Sequence, residues 1–369
     1  MEANIYIGLM TGTSSDSLDC AAIKSSNDKI KILGLENFDI PDQLKKRIIQ
    51  NSQAQEMVPT EIKKLDKDLG KFFSESIQKF LILHSIDENQ VVAIGSHGQT
   101  IKHDPNAARP FSLQLGDPQI ISNNLKITTV GNFREDDIEA GGQGAPISPV
   151  FHKEFFSISD EKRVIINIGG ITNISLLNQG PVIGFDTGPG NCLMDSWNRK
   201  NGRGAYDIDG NWARSGAINQ VLLNNMMNDK YFLLGYPKST GPDYFNEVWL
   251  QGHLNSIDQN LLPKDIQATL TELTAHSLAK ALEEINALED NIYFCGGGVH
   301  NSYLIERISK RFKKNSLTTQ ALGIDPDYLE AICFAWLAKK RLENTKFNLQ
   351  KITGSKKDVY LGKLYSPLR

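Results

Sequence analysis

The sequence predicts a two-domain α/β fold in which a strand–turn–strand unit occurs twice. Strand-like runs alternate along the chain with stretches of helical apolar spacing, a pattern typical of α/β proteins. Regions 5–23 and 163–185 each show a strand, a turn rich in glycine and hydroxyl side chains, and a further strand, which forms a weak internal repeat. A length of 369 residues is typical of two domains.

In the first half, a predicted β-meander is followed by a long helix and a second group of strands. The helix begins near Thr60 and has apolar side chains at helical spacing from Ile62 to Phe80. A strand–helix–strand sequence is expected from about Phe111 to Val130. The other predicted strands are Ile5 to Leu9, Leu18 to Ile23, Lys29 to Phe38 and Val91 to Ile94.

The second half repeats this order of elements. Its predicted strands are Arg163 to Ile168, Ile174 to Leu177, Val182 to Phe185 and Asn291 to Phe294. Its predicted helices are Cys192 to Lys200, Asp265 to Leu288 and about Pro326 to Leu342.

We expect an N-terminal domain over 1–135 and a C-terminal domain over 136–369. No segment rich in proline, or in glycine and serine, separates the halves, so the boundary is soft within about 130–165. The last helix could return to the N-terminal domain.

Composition narrows the class of protein. The 40 lysines and arginines nearly balance 43 aspartates and glutamates, a net charge of -3, which argues against binding of nucleic acid or anionic membranes by bulk positive charge. With 40% hydrophobic and 22% charged residues, the chain can bury a core. The four cysteines form no CxxC pair, and no signal-like or membrane-spanning segment is evident, so we expect reduced thiols and a cytoplasmic location.

A polar turn at 11–17 follows the first strand. Gly12 would let backbone amides approach an anion, the hydroxyl side chains add donors, and Asp16 could hold a phosphate-bound Mg²⁺ through water. The turn is not a P-loop, because it lacks Gly-Lys-Ser/Thr and a strand follows where a helix should. An ordinary hairpin turn is the alternative.

Two further turns follow strands in the second half. Asp186 stands at a strand end before Gly188-Pro189-Gly190, and a helix begins near Asn191, so a carboxylate and a helix N-terminus suited to phosphate are adjacent. Three consecutive glycines at 296–298 could leave a flat surface for a nucleobase and ribose. Turn capping by Asp186 and an ordinary glycine loop are the respective alternatives.

The order of these turns resembles the actin, sugar kinase and Hsp70 ATPase superfamily, which implies two duplicated ribonuclease-H-like α/β domains with ATP in the cleft between them. Longer motifs narrow the resemblance to the anhydro-N-acetylmuramic acid kinase family, and they occur in the family's order over essentially the whole chain. They are the segments 8–16, 95–100, 132–134 with 140–146, 167–173, 186–191, 237–241 and 325–331.

This resemblance implies an ATP-dependent kinase with two coupled steps. Water attacks C1 of 1,6-anhydro-N-acetylmuramic acid, the anhydro bridge opens, and the released O6 takes the γ-phosphoryl group. The products would be N-acetylmuramic acid 6-phosphate and ADP, formed in recycling of the cell wall. The resemblance also implies Mg²⁺ as the charge-neutralising ion, no nucleic-acid or membrane partner, and a homodimer.

The same resemblance implies the site residues. Asp186 would be the general base, with Glu330 and Arg134 as further catalytic groups, and Arg134 would also bind substrate. The other implied sugar-binding residues are His97, Gly98, Gln99 and Thr100. The implied nucleotide-binding residues are Gly12, Thr13, Ser14, Ser15, Asp16, Ser17, Leu18, Asp19, Gly169, Gly170, Thr172, Asn173, Gly188, Gly190, Asn191, Gly296, Gly297, Gly298 and Asn301.

Structural roles remain open for several of these side chains. Arg134 could form an interdomain salt bridge, Glu330 could be a helix-surface charge, and His97 could be satisfied by the backbone of a tight turn. Lys238 to Gly241 could line the cleft or form a surface loop. His97 and His103 lack further ligands in register, so a structural zinc site is not expected.

Two positions depart from the family pattern. Ser17 stands where the family usually has glycine, and Asn132 stands where it usually has aspartate. Two other functions share the nucleotide core: an ATP-gated scaffold and a sugar-binding regulator without turnover. The chain shows no peptide-binding extension, helix-turn-helix segment or basic patch that would favour them.

Overall fold

The structure, a computed structural model, describes residues 4–12, 15–26, 29–54, 56–105, 107–257, 260–312 and 317–368. The chain divides into two compact units. Unit 1 comprises Met1–Phe151, Tyr328–Gln350 and Gly354–Arg369, and unit 2 comprises His152–Asp327 and Lys351–Thr353.

The strands within the described residues are numbered in chain order. They are β1 (Ile5–Thr11), β2 (Ser17–Ser26), β3 (Lys29–Asp39), β4 (Val91–Ser96), β5 (Gln99–Asp104), β6 (Phe111–Leu115), β7 (Thr129–Gly131), β8 (Arg163–Ile168), β9 (Ile171–Leu177), β10 (Ile183–Pro189), β11 (Asn291–Cys295), β12 (Leu317–Thr318) and β13 (Lys363–Tyr365).

The α-helices are numbered in the same way. They are α1 (Asp42–Gln53), α2 (Pro59–Leu83), α3 (Pro118–Leu125), α4 (Glu135–Glu139), α5 (Pro149–Phe156), α6 (Cys192–Lys200), α7 (Asn211–Arg214), α8 (Gln220–Met227), α9 (Glu247–Asn255), α10 (Pro263–Glu284), α11 (Ser302–Phe312) and α12 (Leu329–Leu342). None of the helices in these described ranges is long and apolar enough to cross a membrane.

The unit 2 sheet has the strand order of five strands of the unit 1 sheet, to which β13 is added at one edge. In unit 1 the strand order is β13-β7-β4-β1-β2-β3, and in unit 2 it is β10-β9-β8-β11-β12. Each sheet has an antiparallel meander, β1-β2-β3 or β8-β9-β10, whose first strand then pairs in parallel with the next strand of the sheet, β4 or β11. The predicted α/β class and the duplication are therefore confirmed.

The chain passes to unit 2 after Phe151, which is later than residue 135 but within the predicted soft boundary of about 130–165. Helix α12 and most of the C-terminal segment return to unit 1, as the sequence analysis allowed. Packing explains the difference, because Phe151 meets Trp336 of α12 edge-on at 5.6 Å and the Lys356 amide donates to the Ala140 carbonyl at 3.0 Å.

Most predicted elements are present with shifted ends. The helix predicted from Thr60 is α2, whose Leu65, Leu69, Phe73, Ile77 and Phe80 are fully buried in the core of unit 1. The last helix begins at Leu329 and not at about Pro326, since the residues before it form a turn in which the Asp327 amide donates to the Asp325 carboxylate.

Glycines in two strands of unit 1 allow α12 to lie directly on the sheet. A Cβ at Gly8 of β1 would overlap the Ala331 carbonyl oxygen, and one at Gly95 of β4 would overlap that of Phe334. Close backbone approach of this kind is possible only without a side chain. It sets the first turn of α12, which carries Glu330, against the unit 1 sheet.

Candidate active site

The first polar turn connects β1 to β2 in unit 1. The Ser15 amide donates to the Gly12 carbonyl at 3.1 Å, and Ser15 has φ of +54°. Thr13 and Ser14, which the resemblance assigned to the nucleotide, lie outside the described residues. Asp16 forms an ion pair with Lys45 of α1.

Beyond the turn, β2 begins with Ser17, Leu18 and Asp19. The Ser17 hydroxyl donates to the Asp19 carboxylate at 3.2 Å. The Leu18 side chain is fully buried in the core of unit 1, so Leu18 can meet a nucleotide only through its backbone.

Hydrogen bonds join this turn to the connection between β4 and β5. The Thr11 hydroxyl donates to the Gly98 carbonyl at 3.2 Å, and Gln99 Nε2 donates to the Gly12 carbonyl at 3.4 Å and to that of Thr100 at 3.2 Å. Gln99 Oε1 is buried and has no hydrogen-bond partner in the structure. The phosphate turn and the sugar-binding segment predicted from sequence are thus neighbours within unit 1.

His97 and Arg134 form the centre of a buried polar group. His97 Nδ1 donates to the Gly98 carbonyl at 2.9 Å, and its Nε2 accepts from Arg134 Nη2 at 2.9 Å and Nε at 3.3 Å. Burial, and then the Arg134 charge, hold the pKa of His97 well below its usual range. His97 is a neutral side chain that orients the guanidinium, so backbone hydrogen bonding accounts for only one of its nitrogens.

Three further residues belong to this group: Ser112 and Gln114 were missed in the sequence, and His103 was considered only for a zinc site. Arg134 Nη1 donates to the Ser112 hydroxyl at 3.1 Å, which also lies 3.1 Å from His103 Nδ1 and 2.7 Å from Gln114 Nε2. His103 and Ser112 are register partners in the β5–β6 hairpin. Burial, and then Arg134, lower the pKa of His103 to about 3. Alternating polar residues in two short strands were the signal that could have found them.

Arg134 lies in the short segment between β7 and α4, and the conformation of this segment sets its position. Asn132 has φ of +53°, a left-handed conformation that asparagine tolerates well, and its side chain donates to Glu135. Arg134 occupies the N-cap position of α4 without a capping hydrogen bond from its side chain, and buried Asp137 of this helix accepts from the Gly144 amide at 2.7 Å. Asparagine in place of the family's usual aspartate is thus compatible with this backbone.

Asp186 is a buried side chain in the middle of β10 in unit 2, because this strand continues to Pro189 and does not end at Phe185 as predicted. Its Oδ2 accepts from the Thr240 amide at 2.9 Å, its amide donates to the Lys238 carbonyl at 3.0 Å, and its carbonyl accepts from the Tyr231 hydroxyl at 2.7 Å. The segment left open as a cleft lining or a surface loop is therefore buried against Asp186. Lys238, Ser239 and Thr240 are each at most 8% exposed.

The turn between β8 and β9 is held by the start of α6. The Gly190 amide donates to the Gly170 carbonyl at 2.9 Å, and the Asn191 amide donates to that of Gly169 at 2.8 Å. A Cβ at Gly190 would overlap the Gly169 oxygen, whereas Gly188 has φ of +144° and lies against Phe232. Glycine is required at both positions.

Buried polar atoms surround this turn without hydrogen-bond partners in the structure. They are Oδ1 of Asn167, Oγ1 of Thr172 and Oδ1 of Asn173. Asn173 is the register partner of Asp186, so one of these atoms belongs to the residue directly across the sheet from the carboxylate. Unsatisfied buried polar groups are costly, which makes this end of the unit 2 sheet a candidate for ligand contact.

The triple-glycine turn lies at the same end of that sheet. A Cβ at Gly296, where φ is +81°, would overlap Asn167 Oδ1, and one at Gly298 would overlap the Ile168 side chain. Nothing lies within 4 Å of a Cβ built at Gly297. Asn301 Oδ1 accepts from the Leu304 amide at 3.0 Å and so caps α11.

Glu330 lies in the first turn of α12 and is partly buried. It belongs to unit 1, whereas Asp186 belongs to unit 2. Its charge contributes, after burial, to raising the pKa of the Cys333 thiol. Among the described residues, no group of three or more His, Cys, Asp or Glu side chains is arranged to hold a metal ion.

Comparison with known proteins identifies the family. The anhydro-N-acetylmuramic acid kinase family model matches residues 4–367. Proteins named anhydro-N-acetylmuramic acid kinase are 43% identical in Coxiella burnetii over 98% of this chain and 97% of the relative, and 41% identical in Pasteurella multocida over 98% and 96%. The relative from Saccharophagus degradans is 40% identical over the full length of both chains. The chain belongs to the anhydro-N-acetylmuramic acid kinase family.

Proposed function

We propose that this protein is an ATP-dependent kinase that opens the 1,6-anhydro ring of 1,6-anhydro-N-acetylmuramic acid and phosphorylates O6. The products are N-acetylmuramic acid 6-phosphate and ADP, so the enzyme serves recycling of cell-wall sugar. The observation that carries this proposal is a buried carboxylate, Asp186, beside glycine turns in a chain that belongs to the family over 4–367.

Asp186 acts as the general base. Water adds to C1 of the sugar, its proton passes to the carboxylate, and the bond between C1 and O6 breaks. Hydrogen bonds to the backbone of Asp186 and to Oδ2 hold the side chain, which suits a group that must be positioned within hydrogen-bond reach of a water. Its exposed fraction of 4% limits the number of water molecules that can reach it.

The released O6 attacks the γ-phosphorus of ATP, and ADP leaves. Because the leaving oxygen is captured by phosphorus, a single carboxylate can serve without a separate protonating acid. We assign the phosphates to the turn from Gly12 to Asp19 and to the glycine turn at Gly169 and Gly170. The Gly190 and Asn191 amides hold this second turn in place by donating to the Gly170 and Gly169 carbonyls. Gly296 to Gly298 would lie against the adenosine.

Arg134 binds the negative charge of the sugar's lactyl carboxylate or the charge that develops during transfer. A guanidinium held by His97 and Ser112 is fixed in direction, which favours recognition of a planar carboxylate. The two neighbouring histidines are kept neutral by burial, so they add no competing positive charge. Gln99, whose Oε1 is buried and lacks a partner, is available for a sugar hydroxyl or the acetamido group.

Mg²⁺, a homodimeric state and a cytoplasmic location belong to the same proposal and rest on the family resemblance. When bound, the ion neutralises the phosphate charge. Asp16 provides an oxygen donor of the type Mg²⁺ prefers, and its side chain is 42% exposed, which fits contact through water. Lys45 forms an ion pair with the Asp16 carboxylate, so a bound Mg²⁺ and Lys45 would both interact with this group.

Mass spectrometry of the product formed from the anhydro-sugar and ATP in ¹⁸O-water tests both steps together. We expect one label at C1 of the sugar 6-phosphate and none in the phosphoryl group. Unlabelled sugar 6-phosphate kept in the same water corrects for exchange at the anomeric carbon. Label in free phosphate without sugar phosphate would point to simple ATP hydrolysis and contradict the proposal.

A further inference from the structure

Lys238 is a buried lysine in the segment that contacts Asp186. Its side chain is 5% exposed, and its Nζ donates to the Leu234 carbonyl at 2.9 Å and to the Tyr231 carbonyl at 3.5 Å. The ammonium also lies over the ring of Tyr231, 5.0 Å from its centroid. Burying an ammonium group costs free energy unless polar groups of the protein replace the lost water. Carbonyl oxygens and aromatic ring faces do so, and they favour the protonated form of the lysine.

Two neighbouring segments, which carry Tyr231 and residues 238–240, contact Asp186 at three points. The Lys238 carbonyl accepts from the Asp186 amide, the Thr240 amide donates to the carboxylate, and the Tyr231 hydroxyl donates to the Asp186 carbonyl. Lys238 bridges two of these contacts, because its Nζ binds the Tyr231 backbone while its own backbone binds Asp186. Without the lysine, the 231–234 turn and the 238–240 segment lose the side chain that ties them together.

Lys238 and Asp186 also interact electrostatically. Burial is the largest effect on the pKa of Lys238 and lowers it; Lys280 also lowers it, whereas Glu284 and Asp186 raise it. An electrostatic interaction is mutual, so the ammonium favours the ionised carboxylate as much as the carboxylate favours the ammonium. The ionised carboxylate is the form that can take a proton from water.

We propose that Lys238 is the positioning residue of Asp186, because it ties together the two backbone segments that hold the Asp186 carbonyl, through Tyr231, and the carboxylate, through Thr240. The inference rests on the proposed function, since it gives a role to the group that holds the proposed base. It assigns to the 237–241 motif a task in catalysis that does not require contact with the substrate.

The test compares Lys238→Met, which removes the charge at similar length, with Lys238→Arg, which keeps it. For Lys238→Met we expect kcat to fall about 10²-fold, the size of effect that a small misplacement of a catalytic group produces. The acid limb of the kcat profile should move to higher pH, because the electrostatic interaction between the ammonium and the Asp186 carboxylate is lost. Lys238→Arg should restore the acid limb, and KM for ATP should not change in either variant.

Lys280→Met is the matched control, because Lys280 also donates to a carbonyl of this turn, that of Phe232 at 2.8 Å. It should leave the acid limb in place. Tyr231→Phe removes only the hydroxyl on the Asp186 carbonyl and should lower kcat in the same direction, which keeps the test valid if Lys238→Met does not fold.

The outcomes separate the inference from the proposed function. If Asp186→Asn lowers kcat while Lys238→Met and Tyr231→Phe keep the kcat and acid limb of the unaltered enzyme, Lys238 has no positioning role. If Asp186→Asn retains activity, the assignment of the base is wrong, whatever the lysine variants show.

Discussion

Arg134 donates to Nε2 of His97 at 2.9 Å, and this bond leaves His97 only one tautomer. Because Nδ1 faces the Gly98 carbonyl, it carries the proton, and Nε2 accepts from the guanidinium. A proton on Nε2 would point at a positive charge in a buried setting. His97 therefore acts as a support for Arg134 and not as an acid.

Replacing Arg134 by lysine should weaken binding of the anhydro-sugar. Lysine keeps the charge but cannot contact His97 and Ser112 through a planar fork, so the cation loses its fixed direction. We expect KM for the sugar to rise at least about tenfold, the loss expected for a charge-assisted hydrogen bond, with KM for ATP unchanged. Arg163→Lys, at an ion pair with Glu161, is the control. An unchanged KM for the sugar would place Arg134 outside the substrate site.

Asp186→Asn should preserve folding and ATP binding, because the amide oxygen can still accept from Thr240. Its kcat should fall about 10²- to 10⁴-fold, the range typical for loss of a general base. ADP and sugar 6-phosphate, measured in parallel, should decline together, since O6 becomes free only when the anhydro bridge opens. Near-normal yields of both would make Asp186 a turn residue, and Glu330 would be the next candidate.

Gly297→Val tests whether the triple-glycine turn faces the nucleotide. The protein leaves open space around a Cβ at this position, so the variant should fold normally, while added bulk should raise KM for ATP. Gly252→Ala in α9, where a Cβ also meets nothing within 4 Å, is the control and should change neither property. ATP kinetics with thermal unfolding measure both effects. Unaltered ATP kinetics for Gly297→Val would remove this turn from the nucleotide site.

Buried His152 should make stability depend on pH. Burial lowers its pKa to about 3, so below the ordinary value of 6.5 the unfolded chain binds a proton that the folded chain does not. Stability is therefore lost as the pH falls below about 6.5, by about 1.4 kcal/mol per unit for this residue. His152→Gln should flatten the slope of the free energy of unfolding, measured in urea between pH 6 and 4.5.

The control for this measurement is His300→Gln, at an exposed histidine paired with Asp327. It should retain the slope of the unaltered protein. An equal slope in His152→Gln and the unaltered protein would mean that this histidine is protonated in the folded state.

Local patterns in the sequence were enough to predict the α/β class. They also singled out three glycine-rich segments and Asp186, whose roles in the site stay predictions. Glycines beside hydroxyl or carboxylate residues at strand ends indicate backbone that must approach a ligand, and they do so within a few residues of chain. Helix α2 could also be predicted, because its buried side chains repeat at helical spacing.

The residues that hold Arg134 and Asp186 in place could not be predicted, because they come from distant parts of the chain. Ser112 reaches Arg134 only because β5 and β6 pair in the register that sets it opposite His103. Lys238 is buried beside Asp186 although 52 residues separate them and the motif itself is polar. The unit to which α12 belongs was likewise decided by the fit of its backbone on Gly8 and Gly95. Sequence patterns report which residue types a turn or helix requires, whereas register and close packing arise only when separate elements meet.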